Sequence, residues 1–217
     1  MAKPQCHNPS QELWGKLDSL VTVRALRWFF FATGASFFLA VSLQGMLSNG
    51  QRYALNFVDI DGNKLSTADG HVTVLVLATT ADSEKVRAVG DRAPDFCLGN
   101  PRYRMITIIH FVKKHTAIGR KIATMLLRHR VNEEAKRLQA RYDAKKIERD
   151  ARSDIFTVMD FDGTAASQLG ALAAASPSGG GQTEAASFHV FVFGKDGELL
   201  KQWDNVPAAD DLAAVLK

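Results

Sequence analysis

Twenty consecutive residues, from Trp28 to Leu47, carry no charged side chain; they are WFFFATGASFFLAVSLQGML. Twenty residues in a helix rise ~30 Å, which matches the thickness of the hydrocarbon core of a bilayer. We therefore predict one transmembrane helix over residues 28–47. This helix separates a tail of residues 1–27 from the remainder of the chain.

The charges around this run predict its orientation. Four basic residues precede it: Lys3, Lys16, Arg24 and Arg27. Only Arg52 follows it closely. Because loops rich in Lys and Arg stay in the cytoplasm, we expect residues 1–27 to be a cytoplasmic tail. The chain is then a single-pass protein of the cytoplasmic (inner) membrane, and its C-terminal domain is extracytoplasmic, in the periplasm.

Two other interpretations of the run stay open. A cleaved signal peptide needs small residues near its cleavage site, and Ala40-Val-Ser42 and Ser48-Asn-Gly50 both supply them. A leader of 27 residues before the apolar run is long for such a peptide. The third interpretation is a helix buried in a soluble protein.

Strand and helix patterns alternate after residue 52. Apolar strands are predicted at 71–79, 104–112, 154–161, 187–193 and 199–203, after an entry hairpin that turns at Asp61-Gly62. Helices are predicted at 83–89, 116–152, 165–175 and 208–216. Such alternation is typical of a central sheet with parallel strands and helices on both faces.

The predicted helix over residues 116–152 has an irregular apolar pattern. Apolar residues recur at 118, 122 and 125, and again at 131, 135, 138 and 142. These steps predict one apolar stripe with a phase shift near Val131, on one bent helix or two consecutive ones. Residues 113–152 also hold thirteen Lys or Arg against five Asp or Glu, so this segment is +8 while the rest of the chain is −4.

Three stretches resemble the thioredoxin-like superfamily: VTVLVLATT at 72–80, the closing hairpin FHVFVFGKDGELLKQW at 188–203, and VPAADDLAAVLK at the C-terminus. The resemblance is to membrane-anchored or periplasmic members, including YtfJ-like proteins. It implies an α/β fold over residues 53–217: a thioredoxin-like three-layer sandwich with a mixed sheet. The segment 113–152 is then a long helical insertion.

The same resemblance implies that the dithiol site is degenerate. Ala81 and Glu84 occupy the two cysteine positions, within one residue of register, and the place of the family's cis-proline holds Glu184-Ala-Ala-Ser187. Dithiol exchange needs an attacking thiolate and a resolving thiol. We therefore expect a non-catalytic binding or assembly module that needs no cofactor.

Cys97 supports a second hypothesis, in which a lone thiol serves a thiol oxidoreductase or a redox sensor. The predicted topology places Cys6 on the other side of the membrane, so the two cysteines cannot form a disulfide within the chain. A thiolate at Cys97 would require a lowered pKa.

A third hypothesis comes from DFDGT at 160–164. This motif resembles the opening of haloacid-dehalogenase-like phosphatases, in which the first aspartate (Asp160) is the nucleophile and the second (Asp162) is the acid and base. Only 53 residues follow Thr164, which is short for that fold. The alternative is a strand that ends in an Asp-Gly turn before a helix. His110 and His115 lack a third ligand, so no metal site is predicted.

The basic segment is the expected interaction surface. Its candidate residues are Lys113, Lys114, Arg120, Lys121, Arg128, Arg130, Lys136 and Arg137. We expect a protein partner, with an anionic lipid surface as the alternative. Nucleic acid is not expected, because the domain is predicted outside the cytoplasm and Tyr142 is the segment's one aromatic residue for stacking.

Overall fold

A computed structural model describes residues 47–171 and 188–217. The strands are β1 (Asn56–Val58), β2 (Lys64–Ser66), β3 (Val72–Thr79), β4 (Tyr103–His110), β5 (Ile155–Asp160), β6 (His189–Phe193) and β7 (Leu199–Trp203). The helices are α1 (Ser83–Asp91), α2 (Ala117–Ala144), α3 (Thr164–Gln168) and α4 (Ala209–Leu216). Short 3-10 turns span Asp95–Cys97 and Ala151–Asp154.

Five strands form a mixed sheet in the order β5-β4-β3-β6-β7, and β1 pairs with β2 in a separate hairpin. The strands β3, β4 and β5 are parallel, whereas β6 and β7 are antiparallel to their neighbours. The predicted alternation is therefore confirmed. Thr79, His110 and Asp160 are in register at the ends of the three parallel strands. We call this end of the sheet the carboxyl edge.

Strand β3 lies at the centre of the core. Its six residues from Thr73 to Ala78 are all buried, and their side chains alternate between the two faces of the sheet. On one face Leu75 and Leu77 pack in a cluster with the β1–β2 hairpin and α3. On the other face Val74 and Val76 pack in a cluster that includes α1 and α4. Each fully buried Val or Leu stabilises the fold by about 1.5–3 kcal/mol.

The predicted membrane span lies outside the described residues, except for its last residue. Leu47 is 7% exposed and packs in the core cluster beside the β1–β2 hairpin. The core cluster thus includes a residue six positions before the predicted domain start at Tyr53. Within residues 47–171 and 188–217, no helix is long and apolar enough to cross a membrane. The tail 1–27 and Glu184–Ser187 also lie outside the described residues. The helix predicted at 165–175 ends at Gln168, so that prediction is wrong; Gly170, just after it, has a left-handed φ of 66°.

The chain enters the domain alongside β7. Gln202, next to the end of β7, donates a hydrogen bond to the carbonyl of Leu47, and Gly50 donates to the carbonyl of Leu199 at the start of β7. Residues 47–50 therefore run antiparallel to β7. Gln202 is in register with Phe191 of β6, which is in register with Leu75 of β3, so Leu47 lies level with the middle of β3.

Helix α2 is a single helix that ends at Ala144, so the prediction of helix up to Arg152 is wrong. The end is set by Lys146, which has a left-handed φ of 56°. Two hydrogen bonds complete it, from Lys146 N–H to the carbonyl of Asp143 and from Ile147 N–H to that of Tyr142. This is the usual closure for a helix, but glycine usually occupies the left-handed position. Sequence reasoning therefore missed the end.

The prediction of one apolar stripe on α2 is also wrong. Val131, Ala135 and Tyr142 are buried, whereas Ile118 and Ile122 are 73% and 51% exposed. At about 100° per residue, the two sets lie on opposite sides of the helix. The phase shift near Val131 thus marks a change in which side of the helix is apolar.

We predict that Lys146→Gly stabilises the domain. Glycine adopts a left-handed φ without the steric cost that other residues incur, so the free energy of unfolding should rise by about 0.5–1 kcal/mol. The measurement is urea unfolding of the full chain, followed by circular dichroism. Lys146→Ala is the matched control, since it removes the same side chain but keeps Cβ. A glycine variant no more stable than the alanine variant would contradict the assigned helix end.

Candidate functional site

The corner between β3 and α1 is closed by its own hydrogen bonds. The Asp82 carboxylate accepts from the backbone N–H of Thr79 at 3.1 Å and from its hydroxyl at 2.6 Å. Burial opposes ionisation of Asp82, but the bonds from Thr79 and the nearby Lys85 lower the pKa of this carboxyl below its usual value. The polar groups of the corner are thus used to turn the chain and start α1.

Neither predicted cysteine position holds a reactive group. Ala81 is exposed in the turn. Glu84 lies in the first turn of α1, where its carboxylate pairs with Arg87 at 3.1 Å. A shift of register by one residue brings Asp82 and Lys85 to the two positions, again without sulfur. Because exchange needs two thiols, dithiol chemistry cannot take place at this corner.

Cys97 lies at the other end of the sheet. It belongs to the 3-10 turn that precedes β4, and the start of β4 pairs with Val72 at the start of β3. The seven steps of β3 at ~3.3 Å separate that end from the corner by roughly 20 Å. The thiol is half-buried against the cluster that contains Val74, and burial raises its pKa to about 11.

A cavity of about 810 Å³ lies between the sheet, α1 and α2. Its walls are largely apolar and include Val74, Val86, Met105, Leu127 and Leu138, with Cys97 among the lining residues. The ion pair of Arg87 with Glu134, at 2.6 Å, is at its rim. The cavity leaves space beside Cys97. Among the described residues, no hydrogen bond joins the thiol to a base that could remove its proton.

We predict that Cys97 alkylates slowly at neutral pH. With a pKa of about 11, only ~10⁻⁴ of the thiol is ionised at pH 7. Its labelling rate should rise about tenfold per pH unit up to pH ~11. The measurement is iodoacetamide labelling of the folded full chain, resolved by peptide mass spectrometry so that Cys6 is separated. Rapid labelling with a midpoint below pH 8 would overturn the assignment of Cys97 as a packing residue.

Asp160 makes a buried polar cluster at the carboxyl edge. It is 2% exposed, and its two oxygens accept from the N–H groups of Ala165 and Ala166, both at 3.1 Å. His110 Nδ1 lies 3.0 Å from the same carboxylate. Sequence patterns did not predict this pair, although each residue lies near the end of one of two neighbouring predicted parallel strands. With these contacts, Asp160 starts α3 and joins it to β4.

The rest of the DFDGT motif serves the same turn. Asp162 lies close to the surface and accepts from Thr164 N–H at 3.1 Å, which lowers its pKa. Gly163 has a φ of 78° and precedes α3. His115 packs against Phe161 rather than joining His110. Among the described residues, no group of three or more His, Cys, Asp or Glu is arranged to hold a metal ion.

We predict that Asp160→Asn destabilises the fold by about 2–3 kcal/mol, because its amide NH₂ would face a buried N–H donor. Asp162→Asn, near the surface, should cost less than ~1 kcal/mol. Urea unfolding of both full-chain variants measures the difference.

In parallel, the wild-type chain should not hydrolyse an aryl phosphate with magnesium. Magnesium-dependent turnover that Asp160→Asn abolishes without loss of stability would restore the phosphatase hypothesis.

The second half of α2 is tied to the domain. Tyr142 donates to Asp154 at 2.8 Å and accepts from Gly99 N–H at 3.0 Å; burial, followed by the contact with Asp154, raises its pKa to about 12. Its basic residues are paired with acids: Lys136 with Glu133 at 2.9 Å, Arg137 with Glu134 at 3.0 Å, and Lys145 with Asp95 at 2.6 Å. Two of the predicted interaction residues, Lys136 and Arg137, therefore form ion pairs within the chain.

The basic residues in the first half of α2 and in the loop before it are not paired in this way. In the described part of the chain, four predicted interaction residues make no ion pair or side-chain hydrogen bond: Lys113, Lys114, Lys121 and Arg130. Arg120 lies over the ring of Phe161 at 5.3 Å, and Arg128 donates to the carbonyl of Ile60 at 2.8 Å. Among residues 47–171 and 188–217, no acid forms an ion pair with any of these six basic residues. The predicted surface thus divides into a free half and a paired half.

No protein-family model matches this chain, and no curated protein matches it. Solved structures with a similar fold include the exposed lipoprotein thioredoxin of Streptococcus pneumoniae, 11% identical over 76% of this chain and 98% of the other, with a TM-score of 0.45. A DsbF homologue from Corynebacterium diphtheriae is 13% identical over 79% and 89%, with a TM-score of 0.44. A peroxiredoxin-like protein from Aquifex aeolicus is 13% identical over 78% and 88%, with a TM-score of 0.42.

At identities of 11–13% and TM-scores of 0.45 or lower, these similarities carry no argument about the activity of this chain. The chain itself provides the order of elements that the sequence resemblance implied. Three parallel strands joined by helices are followed by an antiparallel hairpin and a final helix, and α2 is the long helical insertion. The domain described by residues 47–171 and 188–217 has a thioredoxin-like fold, as predicted.

Proposed function

We propose that this protein is a membrane-anchored thioredoxin-like domain that has no dithiol chemistry and acts as a non-catalytic binding module. The apolar run before Leu47, over residues 28–46, anchors it in the cytoplasmic membrane, with residues 1–27 in the cytoplasm and the domain on the extracytoplasmic side. Leu47 itself belongs to the packed domain. Its contact surface is the first half of α2 together with the loop that precedes it.

The observation that carries the proposal is the free half of this helical insertion. Residues 112–130 contain six Lys or Arg and no Asp or Glu, and none of these residues is fully buried. Positive charge near a helix N-terminus is unfavourable, because the helix dipole is positive there. The segment therefore does not gain stability for the domain from its charge. Such a surface is suited to an external partner that carries negative charge.

The corner after β3 supports the non-catalytic part of the proposal. Its hydroxyl and carboxylate groups bond to each other, and neither Ala81 nor Glu84 supplies a nucleophile. Strand β3 stays buried without cysteines, because its burial depends on apolar side chains. The corner is thus kept as part of the fold.

The two enzymatic alternatives are less well supported. A redox role for Cys97 conflicts with its raised pKa and its distance from the corner. A phosphatase role conflicts with the buried Asp160 carboxylate, whose oxygens accept backbone hydrogen bonds. Neither site combines a reactive group with access to a substrate.

A thiol–disulfide exchange assay tests the proposal. The full chain, in an uncharged detergent, is added to insulin and dithiothreitol, and the rate of insulin reduction is measured. We expect the rate with the wild-type chain to equal the rate in buffer, and Cys97→Ser to give the same value. An acceleration by the wild-type chain that Cys97→Ser removes would refute the proposal and support a redox enzyme.

A further inference from the structure

We infer that the exposed apolar ridge of α2, formed by Ile118, Ile122, Met125 and Leu126, docks on the surface of an anionic lipid bilayer. The inference rests on the proposed function and names the partner of that contact surface. The sequence analysis expected a protein first and lipid second; the arrangement of the described side chains favours the reverse order.

The ridge is a continuous apolar strip on the side of α2 that faces away from the sheet. Its four side chains are 73%, 51%, 64% and 56% exposed, in chain order. They are spaced by four, three and one residues, so they follow one side of the helix. Exposed large apolar side chains are common singly, but a contiguous strip marks a contact surface.

Cations border this ridge on both sides. At about 100° per residue, Lys121 and Arg128 lie along one flank and Arg130 along the other. Lys113 and Lys114 lie in the loop just before the helix. A helix with an apolar face bordered by Lys and Arg is the pattern of interfacial helices that lie in the headgroup region. The long basic side chains can reach phosphates while their stems cover apolar surface.

The shape of the surface favours a bilayer over a protein. The ridge projects from the outward side of a single helix. The cations lie on both of its flanks and in the preceding loop. A protein partner would need an apolar groove with acids on both rims. A bilayer surface presents apolar chains beneath a continuous layer of anionic headgroups, which fits all of these positions at once.

The proposed membrane anchor agrees with this partner. If the run before Leu47 spans the membrane as proposed, docking of the ridge is an intramolecular step. Even a weak interfacial helix is then occupied.

Site-specific spin labelling of the full chain tests the inference. In a Cys6→Ser, Cys97→Ser background, Ile122→Cys places a nitroxide on the ridge. Ala140→Cys is the matched control, because it lies eighteen residues later on the same side of the helix, in the paired half. Each protein is placed in vesicles of phosphatidylcholine alone or of phosphatidylcholine with phosphatidylglycerol. Collisions of the nitroxide with oxygen report its exposure to lipid. Collisions with a water-soluble nickel chelate report its exposure to water.

We expect the probe at position 122 to become accessible to oxygen and protected from the nickel chelate only in vesicles with phosphatidylglycerol. The probe at 140 should stay in water in both. A probe at 122 that stays in water in both vesicles overturns the inference. Protection of that probe in both vesicles without a gain in oxygen access also overturns it, and indicates cover by protein.

Charge variants provide the second measurement. Changing Lys113, Lys114, Lys121 and Arg130 to Gln should weaken docking about fivefold per charge, whereas Lys136→Gln with Arg137→Gln should not change it. If the two sets of Gln substitutions weaken docking equally, the assigned surface is wrong. Insulin reduction is measured on the wild-type chain in vesicles of the same compositions, because the spin-labelled proteins lack Cys97. Loss of docking with no reductase activity rejects the lipid partner alone, whereas reductase activity rejects the proposed function whatever the probe shows.

Discussion

The domain depends on the burial of β3, which is hydrogen-bonded on both edges and covered on both faces. Its parallel pairing with β4 and antiparallel pairing with β6 place the end of β3 at the carboxyl edge. The sheet therefore fixes where the turn after β3 begins. In this chain Asp82 and Thr79 close the turn, so the fold persists without the cysteines that such a corner carries in dithiol enzymes.

Both halves of helix α2 contact the domain, but they differ in how their charges are used. Tyr142 and the ion pairs around Glu134 fix its second half to α1 and to the turn at Ala151–Asp154. In the first half, Arg128 donates to the carbonyl of Ile60 and Leu127 packs against the core, while the apolar ridge is exposed. Under the proposed function, the second half holds the helix in place and the first half makes the contact.

The sequence was sufficient for the strands of the sheet and their order, because long apolar runs and the Asp-Gly turns have few other solutions. It was insufficient for contacts between distant residues. Arg104 begins a predicted buried strand, and its charge is offset by Asp69 at 2.8 Å, 35 residues earlier in the chain. Burial opposes ionisation of Asp69, but the hydrogen bonds from Arg104 and His71 lower its pKa to about 2. No local pattern reveals such a pair.

The candidate site shows the same limit. The sequence located the basic segment and the missing cysteines, since both are properties of residue type. It did not reveal which cations are neutralised, because Lys136 and Lys113 look alike until their neighbours are known. It also placed the apolar residues before and after Val131 on the same side of α2. Periodicity alone does not show which side of a helix packs against the sheet.

Hydrogen–deuterium exchange of the full chain measures most directly whether the protein works through this surface or through chemistry at the corner. Exchange would be compared in uncharged detergent and in vesicles with phosphatidylglycerol, and again after addition of a disulfide-bonded peptide. We predict slower exchange in the first half of α2 in the anionic vesicles, and no change at residues 79–85 with the peptide. Unchanged exchange in α2, together with slower exchange at residues 79–85 when the peptide is added, would contradict the account.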